Sequence, residues 1–237
     1  MRKNSLILVF FIVSLVTFSF QMSPISFEKR IDKGQGFKEF YFPNTGNKTI
    51  RYKFTSLPGS AHRGDMSKWV ELYPKILTIK PEQTGVLKVF VQAPKETPEG
   101  EYGFLLDSLP IEVLDKDEQS KDIKAASTVK IRAAIELVGY VGDIKPILKL
   151  EKYKISSKGK NIDIDFILKN NSDKRGVELT ALIKGKNNKI LRRDLGRIGK
   201  SKELETAIEL KGVSERDFYE LEIIETSTNI SLLKTKI

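Results

Sequence analysis

Apolar and polar residues alternate along most of the chain beyond residue 25. The alternating segments are roughly five to nine residues long, and period two is the spacing of a half-buried β-strand. Turn sequences rich in Gly, Pro and Asn separate these segments about every ten residues. Short strands at such regular spacing predict an all-β protein built of sandwiches. The clearest rows are Ile50, Tyr52 and Phe54; Leu87, Val89 and Val91; and Val129, Ile131, Ala133, Ile135 and Leu137.

The strand pattern stops at residues 139–146, where Gly and Pro cluster, and then begins again. The second run of strands covers about 90 residues, close to the ~100 of one immunoglobulin-like domain. We therefore predict two tandem immunoglobulin-like β-sandwich domains, at residues 23–142 and 145–237. Residues 204–210 fit a short helix as well as a strand. The predicted strands of the second domain are Ile147–Ile155, Ile162–Leu168, Val177–Lys184, Ile190–Asp194, Glu205–Leu210 and Tyr219–Glu225.

One short sequence recurs in both halves of the chain. FPNTGN at residues 42–47 resembles LKNNSD at residues 168–173, and each leads into a strand. In both, a strand ends at an Asn, Asn44 or Asn170, and a polar turn then reverses the chain. The recurrence supports two domains of similar fold.

The N-terminus has the three-part layout of a secretory signal peptide. Two basic residues precede a 15-residue apolar run, Leu6–Phe20, and polar residues follow it. Thr17 and Ser19 are small residues that suit a cleavage after Ser19. We expect a leader over the first 20 residues and a mature chain that begins between Phe20 and Ser23. The alternative is an uncleaved anchor, although a spanning helix needs about 20 apolar residues.

The composition excludes most cofactor chemistry. The chain has no Cys and one His, which rules out thiol nucleophiles, disulfides and metal sites built from Cys or a His pair. The lack of Cys in an exported chain also favours a bacterial envelope over a eukaryotic secretory compartment. The net charge of +10 does not by itself identify a partner. The basic clusters of the sequence are not part of a recognisable nucleic-acid-binding module. We therefore expect no cofactor, no metal and no nucleic-acid partner.

Few side chains suggest catalysis. Asp163 and Asp165 project to one side of a predicted strand, where alternation with Ile favours a solvent-facing surface. His62 lies in a polar loop and has no triad partner that the sequence identifies. A lone Trp in an alternating strand, Trp69, is expected in the core. An enzyme is therefore the third choice among the possible function classes.

The first predicted domain resembles the periplasmic pilus chaperones of the chaperone–usher type and their immunoglobulin-like relatives. The matching residues form a strand, a Pro-containing turn, an alternating strand and a Gly-x-Tyr corner, in that order. A polar loop at residues 115–122, with a strand on each side, also resembles the arrangement in that family. The matching segments are WVELYP at 69–74, LTIKPEQ at 77–83, LKVFV at 87–91 and PEGEY at 98–102.

The resemblance implies a chaperone for fimbrial or related surface subunits, with an outer-membrane usher as a possible further partner. In that family, the last strand of the first domain is lent to an incomplete subunit. Here that strand would be Thr128–Val138, and its backbone would pair with the client by β-augmentation. The side chains that would fill client pockets are Val129, Ile131, Ala133 and Ile135. The alternative is that this row packs on the core of its own sandwich.

Family members also grip the terminal carboxylate of the client, with an Arg on the first strand and a Lys on the last strand of the first domain. Arg30 takes the position of the Arg if the turn that follows it is two residues shorter than in the family. The best register places Ala134 at the position of the Lys, and the nearest cations to it are Lys130 and Arg132. The Arg-Pro pair that ends the family's last strand is replaced by Tyr140-Val-Gly. The alternative role for cations on an exposed edge is to discourage aggregation.

These observations predict a non-enzymatic exported protein, with the bacterial periplasm as its compartment. The first function predicted is a chaperone for fimbrial or surface-protein subunits that acts by strand donation. The second is a structural or adhesive envelope module that binds a mature partner or a cell-surface polymer without releasing it.

Overall fold

The structure is a computed structural model that describes residues 20–111, 131–158, 161–186, 189–211 and 218–236. Apart from one 3-10 turn at Ser67–Trp69, its regular elements are all β-strands, which confirms the all-β prediction. The strands of the first half are β1 (Lys29–Arg30), β2 (Phe37–Pro43), β3 (Ile50–Pro58), β4 (Gly64–Asp65), β5 (Val70–Tyr73), β6 (Ile76–Ile79), β7 (Thr84–Val91), β8 (Gly100–Ile111) and β9 (Ala133–Val141).

The second half continues with seven strands among the described residues. The segment around residues 204–210 is a strand, not a helix. The strands are β10 (Leu148–Lys158), β11 (Asn161–Asn170), β12 (Val177–Gly185), β13 (Ile190–Ile198), β14 (Glu203–Lys211), β15 (Phe218–Glu225) and β16 (Ser231–Lys236).

The first nine strands form one sandwich. One sheet has the order β1-β9-β8-β3-β6, with β4 paired to β8, and the facing sheet has the order β2-β7-β5. Alternate side chains point inward, as the period-two pattern predicts. The inward row of β2 packs against β3, where the ring centroids of Phe42 and Phe54 lie 5.1 Å apart. Other fully buried side chains of this core are Phe40, Leu87, Val89, Val91, Phe104, Leu106 and Leu137.

The last seven strands form a second sandwich with a core of its own. Its sheets have the orders β10-β11-β14 and β13-β12-β15-β16, and seven strands is the number found in a constant-type immunoglobulin domain. The core contains aliphatic side chains from both sheets, among them Ile164, Leu168, Leu179, Ile183, Leu221 and Ile223. Asp163 and Asp165 point away from this core, as expected for a solvent-facing surface.

Two local features of the first sandwich are typical of immunoglobulin-like folds. The segment at residues 23–30 changes sheets: Ser23 forms a bridge to Tyr41 on β2, and β1 then pairs in parallel with β9. At the predicted Gly-x-Tyr corner, the Tyr102 hydroxyl donates a hydrogen bond to the Pro98 carbonyl at 2.9 Å, the arrangement known as a tyrosine corner. The Trp69 ring packs on the Tyr102 ring, with centroids 5.0 Å apart.

Candidate functional site

The first candidate surface is the outer edge of β9. This strand pairs with β8 along its whole length, but β1 pairs with it only at Gly139 and Tyr140. The Tyr140 carbonyl accepts a hydrogen bond from Ile31 at 3.0 Å, so it points away from β8. Backbone groups alternate in direction along an antiparallel strand, so those of Ala134, Glu136 and Val138 point the same way. We call residues 133–138 the β9 edge; among the described residues no strand pairs with it.

Exposure changes steadily along the row of apolar side chains predicted to contact a client. Ile131 is 52% exposed, Ala133 and Ile135 are half-buried, and Leu137 is fully buried. Ile135 packs against the core of the first sandwich. The side chains of this row are therefore buried in the sandwich at the Leu137 end and exposed to solvent at the Ile131 end. Val129 lies outside the described residues.

The cations predicted to anchor a client carboxylate are paired within the chain. Arg30 donates two hydrogen bonds to Asp32, at 2.8 and 3.0 Å, and this pairing is the main cause that lowers the pKa of Asp32. Arg132 donates two hydrogen bonds to the buried carboxylate of Asp107, at 2.6 and 3.0 Å. Lys130 lies outside the described residues.

The structure does not bring Arg30 and Arg132 together. Arg30 lies beside Tyr140 near one end of β9, whereas Arg132 precedes the other end. Eight residues of extended strand separate these levels, a span of about 26 Å. One carboxylate therefore cannot contact both guanidinium groups.

A second feature, which the sequence analysis did not find, lies where the two sandwiches meet. Seven charged side chains form a continuous series in which acids and arginines alternate, and we call it the ion chain. Its members, in order of contact, are Glu136, Arg63, Glu101, Arg197, Glu28, Arg175 and Glu225.

The ion chain begins within the first sandwich. The Arg63 guanidinium donates to Glu136 at 2.8 Å and also pairs with Glu101. Glu136 in addition accepts a hydrogen bond from the Ser60 backbone at 2.9 Å. Burial alone would raise the pKa of Glu101 and of Glu136, but their donors outweigh burial and lower both pKa values. These two carboxylates are therefore ionised at neutral pH.

Arg197, on β13, links the two sandwiches. It donates to Glu101 at 2.6 Å and to Glu28 at 2.6 Å, and both carboxylates belong to the first sandwich. The backbone N–H of Gly176 also crosses the junction and donates to Glu101 at 2.7 Å. The orientation of the sandwiches is thus fixed by directional, charge-assisted hydrogen bonds.

Arg175 forms the other side of the junction and is almost completely buried. Its guanidinium lies over the ring of Tyr140, 3.6 Å from the ring centroid, a cation–π contact between the sandwiches. It pairs with Glu225 in its own sandwich and lies 3.8 Å from Glu28. The guanidinium also donates a hydrogen bond to the Ile144 carbonyl at 3.2 Å.

Some chemistry is absent from the described part of the chain. It contains no group of three or more His, Asp or Glu side chains that could hold a metal ion. No helix in that part is long and apolar enough to cross a membrane.

Comparisons with known proteins give matches only at the level of structure. Neither family models nor curated proteins match the sequence. The E. coli chaperone DraB is similar over 93% of this chain and 98% of its own, with 10% identity and a TM-score of 0.42. The periplasmic chaperone SfaE is similar over 92% and 98%, with 14% identity and a TM-score of 0.45. The chaperone–tip subunit complex CsuC–CsuE of Acinetobacter baumannii matches over 92% and 98%, at 15% identity and a TM-score of 0.41.

Proposed function

We propose that this protein is an exported, non-enzymatic chaperone that binds incomplete surface or fimbrial subunits along the β9 edge. The observation that carries the proposal is the row of backbone groups at Ala134, Glu136 and Val138, which no described strand pairs. An unpaired edge of this kind accepts a further strand through main-chain hydrogen bonds.

Apolar side chains beside this edge supply the contacts that a client would bury. Ile131 is 52% exposed. A client strand that pairs with the β9 edge would cover Ile131 and the half-buried Ala133. The hydrophobic free energy gained on binding is largest at Ile131, because about half of this residue, 52%, is still exposed to water.

Arg30 is proposed to act at the opposite end of the same edge. It is 18% exposed and also lies 3.8 Å from Asp143, which is itself 83% exposed. A client carboxylate that approached Arg30 would replace the weak contact with Asp143 and leave the pair with Asp32 in place. A planar guanidinium can serve two carboxylates in this way because it has five N–H donors.

The class of client follows from the sequence resemblance to pilus chaperones described above. On that basis we propose fimbrial or surface-protein subunits as clients and an outer-membrane usher as a further partner. We also propose that the leader is cleaved and that the mature chain acts in the bacterial periplasm.

The experiment replaces Ile131 by Asp and measures capture of a pilin-like subunit of the source organism that is co-expressed with this protein. We expect capture to fall at least tenfold while the melting temperature stays nearly constant, because the charge would be buried only in the complex. Ile190→Asp is the matched control, since Ile190 is 57% exposed on the second sandwich, and its capture should be unchanged. A folded Ile131→Asp protein that still captures the subunit normally would falsify strand donation at this edge.

A second candidate function is the envelope module that holds a mature partner or a polymer. It is favoured by the outer face of the β2-β7-β5 sheet, where Phe37, Tyr41 and Tyr73 are 47%, 43% and 73% exposed. Exposed aromatic rings on one sheet face are suited to stacking on a ligand. Binding that survives Ile131→Asp but is lost in Tyr73→Ala would support this function instead.

A further inference from the structure

The ion chain carries an unbalanced charge. It contains four carboxylates and three guanidinium groups, so with every group ionised it holds one negative charge in excess. Two neighbouring cations do not remove the excess, because Lys38 is offset by Glu178 and Arg30 by Asp32. A surplus charge in a water-poor interior is costly, and taking up one proton removes it.

Glu28 is the member of the chain best placed to hold that proton. Its side chain is 3% exposed, and burial raises its pKa to about 7 despite the opposing effect of Arg197. Charged and titratable groups surround it from both sandwiches: Arg197, Arg175, Glu178, Lys38 and Tyr140. Glu101 and Glu136 have lowered pKa values, so they remain ionised where Glu28 titrates.

The burial of Glu28 depends on the contact between the sandwiches. Glu28 belongs to the first sandwich, immediately before β1, whereas Arg197 and Arg175 belong to the second. If the sandwiches separated, Glu28 would be exposed to water and would regain an ordinary acidity. The docked arrangement therefore binds the proton more tightly than the separated one.

We propose that the ion chain is a one-proton binding site, with the proton on Glu28, and that this proton strengthens the docking of the two sandwiches. By linkage, a group whose affinity for protons is higher in the docked state favours docking at low pH. The effect is lost as the pH rises through the range in which docked Glu28 gives up its proton. The junction should therefore be tightest in mildly acidic surroundings and loosen as the pH rises to about 7, with little further change above that.

The Gly176 amide reports on this junction directly, because its N–H donates across it to Glu101. Amide hydrogen exchange, corrected for the intrinsic rate, should show protection of Gly176 falling on the order of tenfold between pH 6 and pH 8. In Glu28→Gln, which cannot lose the proton, we expect the protection to change by less than about twofold over the same range.

Glu222→Gln is the matched control. Glu222 is also a buried, paired carboxylate, but its Lys partners lower its pKa to about 2, so it is ionised throughout this range. Its replacement should leave the wild-type pH profile of Gly176 in place.

A direct titration keeps the proposal testable if Glu28→Gln does not fold. In the unmodified protein, carbon-13 NMR of the Glu28 carboxyl should give a midpoint near pH 7. A midpoint below about 5.5, near the ordinary range of Glu, would overturn the proposal, as would a Gly176 profile identical in wild type and Glu28→Gln.

Discussion

Asn44 and Asn170 make the same three side-chain hydrogen bonds, one residue in each sandwich. The Asn44 amide donates to the carbonyls of Lys48 and Ile79, at 2.8 and 3.0 Å, and its oxygen accepts from the Gly46 backbone at 3.1 Å. The Asn170 amide likewise donates to the carbonyls of Arg175 and Gly199, at 2.8 and 3.2 Å. Its oxygen accepts from the Ser172 backbone N–H at 3.0 Å. Each Asn thus holds the turn after its strand against a segment that is distant in the sequence.

Replacing either Asn by Ala should destabilise the sandwich that contains it. Both side chains are buried, so the change leaves two carbonyls without a donor, at a cost of about 2–4 kcal/mol. Urea unfolding monitored by residue-resolved NMR would separate the two sandwiches. Asn171→Ala is the control, because Asn171 is exposed, and it should change stability by less than about 0.5 kcal/mol. Equal loss from Asn171→Ala and Asn170→Ala would contradict the assignment.

The recurrence of FPNTGN and LKNNSD could be recognised from the sequence because in both segments a strand ends at an Asn and a polar turn follows. The strands with one buried face were predictable for a similar reason, since alternation survives wherever one face meets water. Strand β8 was identified only at its two ends. It lies between β9 and β3 and carries a nearly continuous buried run, GFLLDS, so the period-two pattern is lost. Strand β16 was missed because its sequence, SLLKTK, is that of a polar edge.

The ion chain could not be predicted because its contacts join distant parts of the chain. Glu28 and Arg197 are 169 residues apart, and neither stands in a recognisable motif. A charged residue within a strand is ordinarily solvated, so Glu101 gave no local signal that it would be buried. Its position inside the Gly-x-Tyr corner is the one sequence feature that could have drawn attention to it. The assignment of residues 23–142 and 145–237 as separate folding domains, and of Ile131 and Arg30 as client contacts, stays a prediction.

The predicted leader cleavage can be refined by the packing of Phe20. Its ring contacts Phe42 and Tyr52 edge to face, with both pairs of centroids 5.9 Å apart. Cleavage after Ser19 would keep this ring, whereas cleavage one residue later would remove it. We therefore predict that the purified protein begins at Phe20, which intact-mass spectrometry can test.

Phe20→Ala should lower the free energy of unfolding by about 1–3 kcal/mol, less than for a fully buried Phe because Phe20 is half-buried. Ile25→Ala is the control, because Ile25 is 69% exposed and should have little effect. Equal stability of wild type and Phe20→Ala would show that the ring does not stabilise the sandwich.

Gly36 is a position where any side chain would meet the backbone of β7. A Cβ atom placed there would lie 2.0 Å from the Val91 carbonyl oxygen. The close approach allows the Val91 amide to donate to the Gly36 carbonyl at 2.7 Å. Gly36→Ala should therefore destabilise the first sandwich by roughly 2–3 kcal/mol in a urea titration. Gly199→Ala meets only the flexible side chain of Lys202 and should be nearly neutral.

The ion pairs of Glu222 should make the stability of the second sandwich depend on pH in the acid range. Its carboxylate bridges Lys184 on β12, at 2.5 Å, and Lys234 on β16, at 3.1 Å, and these contacts lower its pKa to about 2. A depressed pKa stabilises the fold above the ordinary range of Glu, near 4.5, and the effect is lost as the pH falls from there towards 2. Glu222→Gln should therefore be less stable than wild type at pH 7, by roughly 1–2 kcal/mol after allowance for solvent screening of the exposed Lys234.

The difference between wild type and Glu222→Gln should shrink towards zero as the pH falls to 2, because Glu222 is fully protonated in the unfolded chain by then and about half protonated in the folded one. Glu220 offers a matched comparison on the same strand, since it pairs with Lys184 at 2.8 Å but is more exposed than Glu222. Exposed pairs contribute little, so Glu220→Gln should lose under about 0.5 kcal/mol at pH 7. Urea unfolding at pH 7, 4 and 2 measures all three proteins. A constant gap between wild type and Glu222→Gln at every pH would mean that the ionised carboxylate is not what holds β12 and β16 to β15.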